Sequence, residues 1–217
     1  MVKPSKAYLR ALEDSKRVAA AGKSFTGKFL RPHAGFIAEI AKRLNCRTVL
    51  DYGCGRGEQY SWVSPKGQTL LGAWGNPALT LYDPAFPEFA KEPEGKFDLV
   101  ICTHCLGTIP KADLPWVIDR LYGFAGKAIY ISERLGAPRK VLGDNGQRVS
   151  AEWTAKDWRL ALSRPTEVEV TLATREIIGA AKITSHATLI WPPTAKAGVW
   201  FDVKWPPEVH AWNHENA

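Results

Sequence analysis

Val49-Leu50-Asp51-Tyr52-Gly53-Cys54-Gly55-Arg56-Gly57 joins a short apolar run to an acid and then to three glycines at alternate positions. A strand covered on both faces reads as an unbroken apolar run, and Thr48–Asp51 has that form. Just beyond it the backbone must turn sharply. Glycines at such a turn leave no side chain between the main chain and whatever approaches it. The expectation is a parallel strand that ends in a ligand loop. A dinucleotide loop spaces its glycines as GxGxxG so that a helix N-terminus meets a pyrophosphate, whereas GxGxG after an acid suits a ligand without phosphates. A P-loop is excluded, because no Gly-Lys-Ser/Thr follows.

Outward from this loop, the chain reads as α/β first and a hairpin last. Upstream, residues 4–21 carry Tyr8, Leu9, Leu12 and Val18 at roughly helical spacing, ending at Gly22. Pro32 opens a second helical stretch, with Phe36, Ile37, Ile40, Ala41 and Leu44 on one face and an end near Asn45. Downstream, Leu79–Tyr82, Phe97–Thr103 and Ala128–Ser132 are short apolar runs bounded by turn residues, hence strands. Between the last two, Leu114, Val117, Ile118 and Leu121 predict a helix over Asp113–Phe124. Thr154-Ala155-Lys156-Asp157 resembles a capping box opening a short helix, and Thr166–Ala173 and Lys182–Trp191 alternate like an antiparallel edge pair. The expected organisation is one domain over 1–217: a basic helical cap (1–45), a core (46–191) and a Trp/Pro-rich tail (192–217) that wraps the surface.

Two further segments carry the same signal as the glycine loop. Leu79-Thr80-Leu81-Tyr82-Asp83 is a strand ending in an acid, followed by Pro84, and Phe97-Asp98-Leu99-Val100-Ile101-Cys102 is a strand ending beside Thr103 and His104. With the glycine loop they resemble the class I S-adenosylmethionine-dependent methyltransferases over roughly residues 33–135. The resemblance implies a Rossmann-like, mostly parallel sheet flanked by helices, with a closing antiparallel hairpin. It implies S-adenosyl-L-methionine as cofactor, with contacts from Asp51, Tyr52, Gly53, Cys54, Gly55, Gly57, Tyr60, Asp83, Pro84, Cys102, Thr103, His104 and Leu106. It also implies help from Lys23, Lys28 and Arg31 with the methionyl carboxylate. Apart from any family, a carboxylate suits a vicinal diol, since its two oxygens can accept both hydroxyl hydrogens, and this supports Asp83.

Two departures from the family pattern have consequences. Only fourteen residues separate Asp83 from Asp98, too few for a helix, a strand and a second helix, so one strand of the sheet is expected to be missing or rudimentary. Ser64–Pro77 is correspondingly long and is expected to lie over the cofactor. The run His104-Cys105-Leu106-Gly107-Thr108-Ile109-Pro110 stands where many relatives carry an acidic one, and His104 takes the acid's place. Methyl transfer needs positioning above all. Where the acceptor must lose a proton, His104 is the candidate base, with an ordinary pKa near neutrality.

Composition narrows the class further. With 45% hydrophobic and 24% charged residues the chain is an ordinary globular one, and no apolar run reaches membrane-span length. Its start has charges where a signal peptide needs an apolar centre, so a soluble, cytoplasmic protein with reduced cysteines is expected. Residues 1–50 hold eleven Lys and Arg against Glu13, Asp14 and Glu39, more positive charge than the net +7 of the whole chain. That region offers a surface to nucleic acid, although a solvated helix face is the preferred reading. Cys102, His104 and Cys105, with Cys46 and Cys54, raise a zinc reading, which is set aside because Cys46 and Cys54 flank opposite ends of one strand. The sequence therefore points to methyl transfer to a small-molecule acceptor with no metal. A cofactor-binding or interaction protein without transferase activity and a nucleic-acid-directed methyltransferase are the competing readings.

Overall fold

The computed structural model describes residues 4–22, 25–134 and 186–191. Its sheet holds β1 (Thr48–Tyr52), β2 (Ala78–Tyr82), β3 (Phe97–Thr103), β4 (Ala125–Arg134) and β5 (His186–Trp191) in the order β2-β1-β3-β4-β5. The first four are parallel; β5 runs antiparallel along β4, with Ile129 opposite Trp191 and Arg134 opposite His186. Of the edge strand expected over 182–191, residues 186–191 are described, and their described partner is β4. The expected helix at Thr154–Asp157, the strand at Thr166–Ala173 and the tail from Pro192 lie outside the described residues.

Alternation along each parallel strand sends side chains to two opposite faces, and both faces are covered. On one, Leu50, Val100, Ile129 and Ile131 pack with Leu114, Val117, Ile118 and Leu121 of the helix α4 (Leu114–Phe124). On the other, Val49, Leu99, Ile101 and Tyr130 pack with Ile37 and Ile40 of the helix α2 (Ala34–Arg43) and with Leu70 and Trp74. Leu50, Leu99, Ile101, Ile37 and Ile118 are fully buried. Each such side chain contributes about 1.5–3 kcal/mol by leaving water, which accounts for the apolar runs read in the sequence.

Between β2 and β3 there is only a 3₁₀ turn at Pro87–Phe89, so the strand expected to be missing is absent. Ser64–Pro77 departs from expectation. It bridges Val63 to Thr69, forms the one-turn helix α3 (Leu70–Ala73), and packs on α2, where the Trp74 indole N–H donates to the Ala34 carbonyl at 3.0 Å. Two large apolar side chains in this stretch, Leu70 and Trp74, draw it to the α2 face and away from the C-terminal edge of the sheet.

That edge is covered by the first helix instead. α1 (Lys6–Ala20) is capped by Ser5, whose hydroxyl accepts from the Tyr8 amide. The Ser5 amide and hydroxyl donate to the two carboxylate oxygens of buried Asp113, at 2.8 and 2.6 Å, just ahead of α4. Tyr8 stacks edge-on against Trp116 of α4, with 5.3 Å between ring centroids. At the other end the Arg56 guanidinium donates to the Ala19 carbonyl at 2.5 Å. Pinned at both ends, α1 crosses the strand ends like a bar.

Candidate functional site

The glycine loop leaves β1 in a series of left-handed residues: Gly53, Gly55 and Gly57 have φ of 85°, 60° and 65°. The Gly53 and Cys54 amides both donate to the Tyr82 carbonyl, at 2.7 and 3.2 Å, which binds the loop to the end of β2. A Cβ on Gly53 would stand 2.6 Å from the Cys105 Cβ and 2.7 Å from its sulfur. A Cβ on Gly55 would run into the Phe25 carbonyl, which already accepts from the Arg56 amide at 2.8 Å. Gly57 would meet Leu81 Cδ1 at 3.0 Å. The glycines expected to make room for a ligand thus make room first for the protein's own chain: the segment from Phe25 lies across the loop, and the loop after β3 lies beneath it.

Asp83 follows β2 and is held by two main-chain amides. Gly55 donates to Oδ2 at 3.0 Å and Ala85 to Oδ1 at 2.9 Å. Burial raises its pKa above the ordinary carboxylate value, and the two amides oppose that shift. Each oxygen keeps acceptor capacity beyond its one amide.

These pieces wall a cavity of about 350 Å³ at the C-terminal ends of β1, β2 and β3, the place where open parallel sheets bind ligands. It brings together Asp51, Tyr52, Gly53, Cys54 and Gly55 after β1, Asp83 and Pro84 after β2, and Thr103 and His104 after β3. Gly57, Tyr60, Cys102 and Leu106 are not on its wall. Leu106 and Cys102 are wholly buried in the core under α4, and Gly57 faces Leu81 and Phe89. Arg31 stacks over Trp62, 4.8 Å from the ring centre, instead of reaching the cavity. Lys23 and the Lys28 side chain lie outside the described residues.

The acid of the loop has its own shell. Asp51 is buried, and its Oδ2 accepts from the Tyr60 hydroxyl at 2.8 Å and the Gln59 amide at 3.2 Å. Burial pushes its pKa up to about 7, against the opposing pull of these two bonds; the nearby charge of Asp83 adds to the rise. The residues after the loop form a 3₁₀ turn (Glu58–Ser61), not a helix. At three residues per turn, Gln59 comes to the cavity wall and Tyr60 falls behind Asp51. Gln59 is a site residue that the sequence did not suggest. Its Nε2 donates to Asp51 and to the Cys54 carbonyl, and its buried Oε1 has no hydrogen-bond partner among the described residues.

After β3 the chain turns on His104, a non-glycine residue at φ 56°. Its amide donates to the Ser132 carbonyl at 2.8 Å. Its ring lies 6.0 Å, centroid to centroid, from that of buried His33. His33 in turn is fixed between the Tyr130 hydroxyl at 2.8 Å and the Ser132 hydroxyl at 3.3 Å. A bulky residue in the left-handed region costs of order 1–3 kcal/mol, a strain that clusters at functional sites.

The N-terminal contribution was also beyond the sequence reading. Tyr8, Ala11, Leu12 and Ser15 of α1, with Phe25, Thr26 and Gly27, form the outer wall. The basic charge of this region is partly matched at home, since Lys16 pairs with Glu13, Arg17 with Asp14 and Arg43 with Glu39. No helix among the described residues is long and apolar enough to cross a membrane.

A sequence profile described as a methyltransferase domain matches residues 7–164. Among solved structures, the chain is similar to the 1,6-didemethyltoxoflavin-N1-methyltransferase of Burkholderia thailandensis, solved with 1,6-didemethyltoxoflavin and S-adenosylhomocysteine. The TM-score is 0.58 at 16% identity, over 90% of this chain and 93% of the other. It is also similar to an O-methyltransferase family protein from the same organism, with a TM-score of 0.53 at 15% identity, over 86% of this chain and 62% of that one. At such identities the likeness is one of fold. No curated protein sequence matches the chain.

Proposed function

The chain belongs to the methyltransferase-domain family, and from that membership we propose that it carries a methyl group from S-adenosyl-L-methionine to a small-molecule acceptor. The observation that carries this reading is the cavity itself. It gathers Asp51–Gly55, Asp83 and His104 from three separate strand ends into one volume of about 350 Å³, within the range of small-molecule sites.

The residues present fit the cofactor. On the cavity wall, Gln59 Oε1 is a buried acceptor with no donor among the described residues, and the ammonium of an amino-acid moiety would satisfy it. Asp83 is oriented by Gly55 and Ala85 with acceptor capacity left for two ribose hydroxyls. Phe25 and Phe86, packed edge-on with 6.0 Å between centroids, give the cavity an apolar wall. When bound, S-adenosylmethionine supplies an electrophilic methyl carbon on a positively charged sulfur.

What the chain must add is position, dryness and a proton acceptor. α1, held at Ser5 and Ala19, lies over the strand ends and narrows the access of water to them. A small acceptor suits that opening better than a polymer does. His104 faces the cavity with its backbone fixed on Ser132, and takes the proton from an acceptor hydroxyl or ammonium.

Titration calorimetry with S-adenosylhomocysteine tests the reading. Wild type should bind, and Asp83→Asn should bind about ten- to a hundredfold more weakly, the effect of losing charge-assisted hydrogen bonds. Absence of wild-type binding at millimolar ligand overturns the cofactor assignment. Binding without transfer of a labelled methyl group to any component of a small-molecule extract overturns the transferase assignment.

A further inference from the structure

In Cys102-Thr103-His104-Cys105 the proposed reaction uses the histidine and leaves both cysteines without a part. The two sulfurs lie 2.6 Å apart, only about 0.5 Å longer than a disulfide bond. Both residues carry no disulfide. They differ in access: Cys102 is wholly buried on β3, whereas Cys105 is partly exposed and lines the cavity. The left-handed turn at His104 is what folds the chain back so that residues three apart bring their side chains together. Cys105 also supports the glycine loop, with its sulfur 3.5 Å from the Tyr52 carbonyl and its Cβ and sulfur in the space that a Gly53 side chain would fill.

We propose that Cys102 and Cys105 are a peroxide-reactive dithiol in the cavity floor, with Cys105 as the attacking and Cys102 as the resolving sulfur, and that closing the disulfide shuts the cavity to its ligand. An accessible thiol beside a resolving one is the arrangement that stops oxidation at the reversible disulfide. The Cys105 sulfur attacks one peroxide oxygen and the O–O bond breaks. Hydroxide leaves with the thiol proton as water, and Cys105 becomes a sulfenic acid. The Cys102 sulfur then attacks that sulfur, the S–O bond breaks, and a second water carries off the hydroxyl and the Cys102 proton. Two thiols lose two electrons and two protons, and one peroxide becomes two waters. Closing the disulfide draws the Cys105 sulfur about 0.5 Å along its contact with Gly53 and locks the turn at His104, which lies between the two cysteines. The support of the glycine loop changes, and the candidate base is held by a covalent ring.

The thiol chemistry stands independently of methyl transfer; the effect on binding rests on that reading. Full-length protein is treated with equimolar hydrogen peroxide, quenched, alkylated in denaturant and weighed intact. The expected result is a loss of 2 Da, two alkylated cysteines instead of four, and an unalkylated tryptic peptide 97–111 that is 2 Da lighter than its dithiol form, all reversed by dithiothreitol. Cys105→Ser should give no cross-link and no sulfenic acid trapped by dimedone. Cys102→Ser should give a Cys105 sulfenic acid that dimedone traps. Four alkylated cysteines after a tenfold excess of peroxide, or oxidation at Cys46 or Cys54 instead, overturns the proposal without any need for the variants to fold. Calorimetry on the oxidised wild type should show S-adenosylhomocysteine bound at least tenfold more weakly than by the reduced protein. Equal affinity would overturn the closing of the cavity. If the reduced protein binds none, the cofactor reading fails while the cross-link result still decides the dithiol.

Discussion

The loops after β1 and β3 leave the same edge of the sheet and both turn through positive φ, but they use different residues to do so. The first is built on Gly53, Gly55 and Gly57; the second turns on His104 at φ 56°. Beneath the first lies a buried carboxylate, Asp51, while its register partner on β3 is apolar Ile101. A glycine at positive φ costs nothing locally, so its presence records what packs against it, here Phe25 and Cys105. A histidine at positive φ does cost something, so its presence calls for a use of the side chain. On the reading proposed above, the glycine loop answers to architecture and the histidine turn to chemistry.

Replacing the histidine separates the two kinds of turn most sharply. His104→Gly relieves the left-handed strain, and thermal or urea unfolding should show a variant more stable by about 1 kcal/mol. Labelled methyl transfer should nonetheless fall by about 10²- to 10⁴-fold, the contribution of a positioned base, with affinity for S-adenosylhomocysteine within threefold of wild type. A variant that is stabilised and fully active would make His104 an accident of the turn.

The glycine loop should respond in the opposite way, through stability. Gly55→Ala incurs both the left-handed penalty at φ 60° and a clash with the Phe25 carbonyl. Urea unfolding should show a loss of about 3 kcal/mol. Gly67 provides the control, since its φ of 76° comes with open space around it. Gly67→Ala should lose only about 1 kcal/mol. Equal losses at the two sites would mean that the Phe25 crossing does not press on the loop.

The same contrast explains what could be read from the sequence. Strands were legible because burial on two faces leaves unbroken apolar runs, as in Val49–Leu50 and Leu99–Ile101. The missing strand was legible by arithmetic, since fourteen residues between Asp83 and Asp98 cannot hold it. Site residues at strand ends, Asp51, Asp83 and His104, were legible because topology alone puts them at one edge. The wall made by Tyr8, Leu12 and Phe25 was not, because it depends on Ser5 meeting Asp113 across 108 positions of sequence. The exchange of Tyr60 for Gln59 had a smaller cause. A 3₁₀ turn and an α-helix rotate successive side chains by different angles, and no residue between Gly57 and Trp62 announces which will form.

The last comparison reads a pH slope, not a single loss, at the acid beneath the glycine loop. Asp51 titrates near pH 7 in the folded chain and near 3.8 when unfolded. Between those values the folded state binds more protons than the unfolded one, so this group's contribution to stability is greatest below pH 4. It declines as pH rises toward 7, with a slope of at most about 1.4 kcal/mol per pH unit, and is constant above that. Asp83 is also raised and contributes in the same direction, so the difference between wild type and Asp51→Asn isolates the one group. Urea unfolding from pH 4.5 to 8 should show wild type losing stability relative to Asp51→Asn as pH rises. Tyr60→Phe removes a hydrogen bond that favours the carboxylate, and should move the Asp51 midpoint upward in a carboxyl-carbon NMR titration. Parallel pH profiles for wild type and Asp51→Asn would mean that the carboxylate under the first loop is solvated after all, and the two loops would then differ only in backbone.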